Sequence, residues 1–150
     1  MRIVSLVPSA TETLRHLGAD VVACTRFCEQ PDLPEVGGTK NPDLDAVAAF
    51  EPDLVVLDRQ ENRREDADAL TDAGLRLFVS DVCSLDDALR VVDDLASVAG
   101  VAAPPRPALP APAAVRGRVF VPIWRRPWMA IGPATYGASL LARLGLDVWT

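Results

Sequence analysis

The chain is poor in the residues that most catalytic and metal sites require. It has one histidine, three cysteines and 5% aromatic residues among its 150 positions. The lone His16 falls beside Leu14 and Leu17 in a helical pattern and reads as a helix-surface side chain, so the oriented histidine of nucleophilic catalysis is missing. Cys24 and Cys28 have no further Cys or His nearby, whereas a zinc site needs about four ligands. Three cysteines give no complete disulfide framework and agree with a reducing compartment. There is no Walker-type loop and no dinucleotide fingerprint. Fifteen basic residues against 21 acidic ones give a net charge of −6, and no Lys/Arg block stands out, which argues against nucleic acid or anionic membrane as a partner. No stretch approaches the ~20 apolar residues of a membrane span. The first residues run straight into a strand pattern without signal-peptide character, so the expected location is cytoplasmic.

What is present is an ordinary globular composition, 49% hydrophobic and 24% charged, enough for one domain or two small lobes with a real core. Residues 3–7 form a short apolar strand pattern stopped by Pro8. Ser9-Ala10-Thr11-Glu12 has capping-box spacing and predicts a helix to about Leu17, closed by Gly18. Residues 21–24 are a second strand. Pro42-Asp43 opens a short helix over 44–50, with Pro at its first turn. The run 53–58, unbroken and apolar from Leu54 to Leu57, reads as a parallel strand buried on both faces. A polar helix over 61–73, a strand over 75–79 and an amphipathic helix from Ser84 to Gly100 follow. This alternation predicts an α/β fold, an open parallel-sheet lobe with flanking helices over 1–100. Residues 101–116 turn abruptly to Ala and Pro and read as an extended connector. Residues 117–150 restart strand, hairpin and helix patterns but hold too few elements to bury their own apolar faces, so a partial second α/β lobe is expected. Val119, Phe120, Leu140 and Leu144 then need cover from the first lobe, a second copy or another protein.

The segment from Cys24 to Lys40 is long for an α/β connection and concentrates Cys, Arg, Lys, Gly and Pro. Gly37 and Gly38 allow close backbone approach to a ligand. Arg26, Cys28 and Lys40 are its candidate binding residues; Cys28 stands open between ligand contact and structural filler, and Cys24 reads as core. After the strand 53–58, Glu61, Asn62 and Arg63 start a helix. Acidic residues suit a helix N-terminus but Arg63 does not, which favours a binding role for Asn62 or Arg63. Trp124 and Trp128 bracket Arg125, Arg126 and Pro127, a pairing suited to stacking on a flat ligand. Arg26, Lys40, Arg63 and Arg125 would give that ligand a positive surround, which suits a carboxylate-bearing molecule.

Taken in order, Ser5-Leu6-Val7-Pro8-Ser9-Ala10-Thr11-Glu12, Thr25-Arg26-Phe27-Cys28, Gly37-Gly38-Thr39-Lys40-Asn41-Pro42, Pro52-Asp53-Leu54-Val55, Glu61-Asn62-Arg63 and Ile123-Trp124-Arg125-Arg126-Pro127-Trp128-Met129 resemble the substrate-binding proteins for vitamin B12 and iron–siderophores. These are the helical backbone metal receptors, a periplasmic-binding-protein-like class, and the resemblance is to their signal-less branch. It implies two α/β lobes facing across a cleft, with ligand held by loops at the carboxyl ends of strands. On this chain those loops are 8–11, with Ser9, then 25–40, 59–63 and 124–128. It also implies a cobalamin or an iron chelate of siderophore or haem type as ligand, no covalent cofactor, no catalysis, and an ABC transporter as partner. Three departures stand out. The long connecting helix stops at Gly100, the second lobe is short, and Gln30 stands where this branch tends to have histidine. A small enzyme using Cys28 with Glu29 or Glu61 as base and an interaction module are the rival readings, and a homodimer through the partial lobe is a further partner expectation.

Overall fold

The computed structural model describes residues 1–149, and its secondary structure alternates as the apolar pattern dictates. The order is β1 (Ile3–Ser5), α1 (Pro8–His16), β2 (Val21–Cys24), β3 (Gly37–Gly38), β4 (Asn41–Pro42), α2 (Leu44–Ala49), β5 (Leu54–Asp58), α3 (Arg64–Asp72), β6 (Leu77–Ser80) and α4 (Leu85–Ala99). Beyond the proline-rich stretch come β7 (Gly117–Val119), β8 (Pro122–Arg125), β9 (Trp128–Ala130), α5 (Tyr136–Arg143) and β10 (Leu146–Val148).

Two compact units share the chain. The first comprises Met1–Asp81 with Val92–Pro104; the second takes Val82–Val91 and the chain from Pro105 onward. The composition break at residue 101 therefore does not coincide with the division. The first half of α4, through Val91, belongs with the second unit; there the Leu85 amide donates to Ser139 Oγ at 3.1 Å and Arg143 lies 3.7 Å from Asp86. Part of the Pro/Ala segment joins it too, through Ala113 N–H to Arg143 O (3.0 Å) and Arg143 to Pro110 O (2.9 Å).

In the first unit four parallel strands run in the order β2-β1-β5-β6. Every residue of β1 and β5 is buried, as a central parallel strand requires. Alternation splits them: Val4, Val55 and Leu57 join Val47 of α2 and Leu70 of α3 in one core cluster, while Ile3, Leu54 and Val56 project to the other face and are equally buried. Because the strands are parallel, the chain leaves them at one edge, after Ser5, Cys24, Asp58 and Ser80.

The second unit pairs β7 with β10 in parallel and β8 with β9 antiparallel. Its apolar residues stay open: Phe120 is 55% exposed, Leu144 49%, Trp149 60%. Two local expectations are corrected. Helix α1 begins at Pro8, with Val7 as a cap that makes no side-chain bond; Ser9 is inside the first turn and forms no capping box, since proline at N1 already presets the helix. Pro42 lies in β4 rather than in α2, whose cap is Asp43 accepting from the Ala46 amide at 3.0 Å.

Candidate functional site

The 25–40 segment is folded back on the sheet edge rather than hanging free. The Cys28 amide closes a turn on Thr25 O at 3.0 Å. The chain then returns beside the end of β2, where Cys24 N–H donates to Pro34 O (3.0 Å) and Val36 N–H to Cys24 O (2.9 Å). It turns again in the short β3–β4 hairpin. Gly37, at φ 87, occupies a conformation that side chains disfavour. A methyl group on Gly38 would sit 2.6 Å from Asn41 Oδ1 and 3.1 Å from the Phe27 ring, so the hairpin tip, Phe27 and Arg26 are packed together. The Arg26 guanidinium lies 5.0 Å from the Phe27 ring centre, and its amide donates to Gly37 O at 2.9 Å.

Beneath this loop Cys28, half-buried, places its Sγ 3.4 Å from the hydroxyls of both Thr11 and Thr25. The two threonines are fully buried. Cys28 thereby ties the loop to the start of α1. Burial, reinforced by the neighbouring Cys28 thiol, pushes the Cys24 thiol up to about 12, so Cys24 is a neutral core group. No group of three or more His, Cys, Asp or Glu among the described residues is arranged to hold a metal ion.

The turn after β5 is built by Asp58. Its Oδ1 accepts from the amides of Gln60 (2.8 Å) and Glu61 (3.3 Å), and its Oδ2 accepts from the Ser80 hydroxyl at 2.7 Å. Asn62 then folds inward, only 8% exposed. Its Oδ1 accepts from the Asp58 amide at 2.8 Å, and its Nδ2 donates to Leu6 O at 3.2 Å and Thr39 O at 2.9 Å. Beside it Lys40 Nζ donates to Gln60 O at 2.6 Å. Arg63 grips the buried Asp66 through two bonds, 3.0 and 2.8 Å.

The carboxyl edge thus brings Arg26, Cys28, Lys40, Asn62 and Arg63 onto three interlocked loops, with Ser9 exposed in the adjoining first turn of α1 and Glu61 exposed on the β5 turn. Two of the expected contact residues are redirected. Asn62 has both polar atoms committed inside the protein, so it braces the loops instead of facing a ligand. Arg63 has its charge answered by Asp66 and, at 3.6 Å, Glu65. Arg26 and Lys40 differ: no ion pair joins either to a carboxylate among the described residues. Thr11, Thr39 and Asp58 were not legible as site residues, although Asp58 had one signal, an acid closing a buried strand two residues before a turn amide it can bind.

In the second unit Trp124 and Trp128 are 63% and 65% exposed, on adjacent strands β8 and β9. Trp124 is registered with Met129 and Arg125 with Trp128. The tryptophans therefore do not share a face; Arg125 and Trp128 do. A separate apolar hollow of about 700 Å³ is lined by Phe120, Ala130, Ile131, Gly132 and Trp149, and Arg118 lies 5.5 Å from the Trp149 ring.

No family model matches the chain. In sequence it is 30% identical over 101 residues to the vitamin B12-binding proteins of Yersinia pestis and Yersinia pseudotuberculosis, a match covering 63% of this chain and 36% of theirs. The chain thus spans little more than a third of the length of these curated relatives. In fold it superposes on the periplasmic vitamin B12-binding protein BtuF of Vibrio cholerae with a TM-score of 0.73 and 16% identity, over 98% of this chain and 65% of that one. The periplasmic haem-binding protein HutB of the same organism gives 0.74 at 19% identity, over 99% and 65%. A possible iron-binding, periplasmic solute-binding protein of Staphylococcus epidermidis gives 0.75 at 17%, over 98% and 66%. The architecture is that of the class III periplasmic binding proteins, a parallel α/β sheet with its loops gathered at the carboxyl edge. The sequence likeness to the vitamin B12-binding proteins is confined to the 101 matched residues. No helix among the described residues is long and apolar enough to cross a membrane.

Proposed function

We propose that this chain provides the ligand-binding loops of a non-catalytic substrate-binding protein for a cobalamin-like or other metal-chelate ligand, working with an ABC-type uptake system. The observation that carries the reading is the carboxyl edge itself: three loops locked together, presenting Arg26 and Lys40 without carboxylate partners in an acidic protein. Open parallel sheets bind ligands at that edge, and two uncompensated cations suit an anionic group on the chelate. The Arg125–Trp128 face of the hairpin supplies a stacking surface. Cys28 serves as packing for the loop, because its thiol is turned to the Thr11 and Thr25 hydroxyls and no base stands beside it in the hydrogen-bond pattern. The open apolar residues Phe120, Leu144 and Trp149 are the surface through which a second copy would associate. The working compartment is the periplasm, as for the periplasmic vitamin B12- and haem-binding proteins of Vibrio cholerae.

Thermal unfolding with cyanocobalamin, hemin and a ferric hydroxamate tests this directly. A ligand at 100 times its Kd adds about 2.7 kcal/mol of apparent stability. A folded protein whose melting temperature none of the three raises would overturn the reading.

A further inference from the structure

We propose that Asn62 is the positioning residue of the carboxyl edge: one carboxamide latches the loop after β1 and the β3–β4 hairpin onto the end of β5, and so sets where Arg26 and Lys40 present their charges. The latch rests on geometry alone; only its consequence for binding rests on the function proposed above.

Two of the three partners of Asn62 come from distant parts of the chain, and the third, the Asp58 amide, from the preceding turn. Leu6 is 56 residues away and Thr39 is 23, and both are buried. Their carbonyls and the Asp58 amide need two donors and one acceptor from a single short side chain. Among side chains of this size only a carboxamide offers two donors and an acceptor together. Aspartate of the same shape offers no donor and sets a negative charge against two carbonyl oxygens. Leucine offers nothing, and strands two desolvated carbonyls and an amide.

The side chain is also held in readiness. The Asn62 amide donates to Asp58 O at 2.9 Å, while Asp58 Oδ1 clamps the amides of Gln60 and Glu61. Asp58 and Asn62 thus fix each other across the turn before either reaches the hairpin. Next to the latch, Lys40 reaches Gln60 O at 2.6 Å. Residues 39 and 40 of one loop are therefore tied to 62 and 60 of the other, one tie buried and one exposed. Releasing the buried tie leaves only the exposed one, which water competes for. The Arg26 amide hangs from Gly37 O in the same hairpin, so both cations move when the hairpin lifts.

Hydrogen exchange on Asn62→Asp, with the intact chain, separates a latch from a general packing residue. The loop amides of Arg26, Val36 and Asp43, bonded to Gly37 O, Cys24 O and Val36 O, should exchange roughly tenfold to a hundredfold faster, as loss of a buried bond implies. The Val55 amide, bonded to Arg76 O inside the sheet, should keep its wild-type rate. Equal acceleration everywhere, or none in the loop, overturns the proposal. If Asn62→Asp does not fold, wild-type exchange in mild urea decides: the Asp58 amide, bonded to Asn62 Oδ1, should open together with the loop amides and before the strands. Opening only with the strands is the contrary result. Whichever of cyanocobalamin or hemin binds the wild type should bind folded Asn62→Asp at least about tenfold more weakly, and unchanged affinity overturns the positioning role. If neither probe binds the wild type, the proposed function falls while exchange still decides the latch.

Discussion

Trp124 and Trp128 lie on opposite faces of the β8–β9 hairpin, because Trp124 pairs across the strands with Met129 and Arg125 with Trp128. In the sequence the two rings bracket Arg-Arg-Pro and suggest one continuous wall. The tight connection through Arg126 and Pro127 instead gives each ring its own face. Trp128 gains a cationic neighbour, while the Trp124 indole N–H turns back to Arg126 O at 3.1 Å.

On the proposed function, a flat chromophore held at this hairpin would stack on one tryptophan. Trp128→Ala should weaken binding of cyanocobalamin or hemin by about 1–3 kcal/mol, the range for aromatic stacking of a base, with Trp124→Ala changing it by less than about 0.5 kcal/mol. Fluorescence titration of both variants measures this. Equal losses would restore the single wall. Trp149 is no neutral control, since it lines the hollow with Phe120.

Lys40 is the only lysine in the chain, so its role can be isolated chemically as well as by mutation. Lys40→Met should weaken binding of an anionic ligand by about 1 kcal/mol, the net worth of one partly exposed charged hydrogen bond, and should flatten the dependence of Kd on salt. Arg26→Met should do the same. Calorimetric titration at low and high salt would show it, and a salt slope identical to that of the wild type would remove both cations from the site.

The two glycine classes make a sharper test of the hairpin. Gly37 and Gly74 have nearly the same φ, 87 and 79, but a methyl at Gly37 meets Asn41 O at 2.7 Å and Asp43 N at 2.9 Å, while at Gly74 nothing lies within 4 Å. Gly74→Ala should cost about 1–2 kcal/mol, the left-handed penalty alone. Gly37→Ala should cost clearly more, because the neighbours are backbone and cannot swing aside. Urea denaturation of the two variants, compared at equal m-value, checks the order; equal costs would mean the hairpin yields.

What the sequence showed and what it hid follow from where the information sits. Residues 54–58 were legible because an unbroken apolar run can satisfy only a strand buried on both faces. Helix ends were legible at Gly18 and Gly100, both at positive φ. Pro8 and Pro42 were misassigned because proline fits helix starts and sheet edges alike, and only tertiary context separates them. The gathering of Arg26, Lys40 and Asn62 was expected from strand order. The inward turn of Asn62 was not, since its partners are the carbonyls of Leu6 and Thr39, and a carbonyl is the same at every residue.

The cysteine pair gives the last test. Burial holds the Cys24 thiol near 12 against an ordinary value of 9.0, with the Cys28 thiol adding to the effect. In the unfolded chain Cys24 ionises above about pH 9, whereas in the fold it stays neutral to about 12. Unfolding therefore releases a proton within that window, so this contribution is fully present below pH 9 and is lost as pH rises toward 12. Denaturation midpoints of the wild type should fall more steeply above pH 9 than those of Cys24→Ala, and the two slopes should coincide below it. The same burial orders reactivity. An alkylating reagent at mildly alkaline pH should label exposed Cys83 and half-buried Cys28 in the folded protein and reach Cys24 only on unfolding. Rapid labelling of Cys24 in the native state would mean that the 25–36 loop opens far more often than its bonds to Cys24 through Pro34 and Val36 allow.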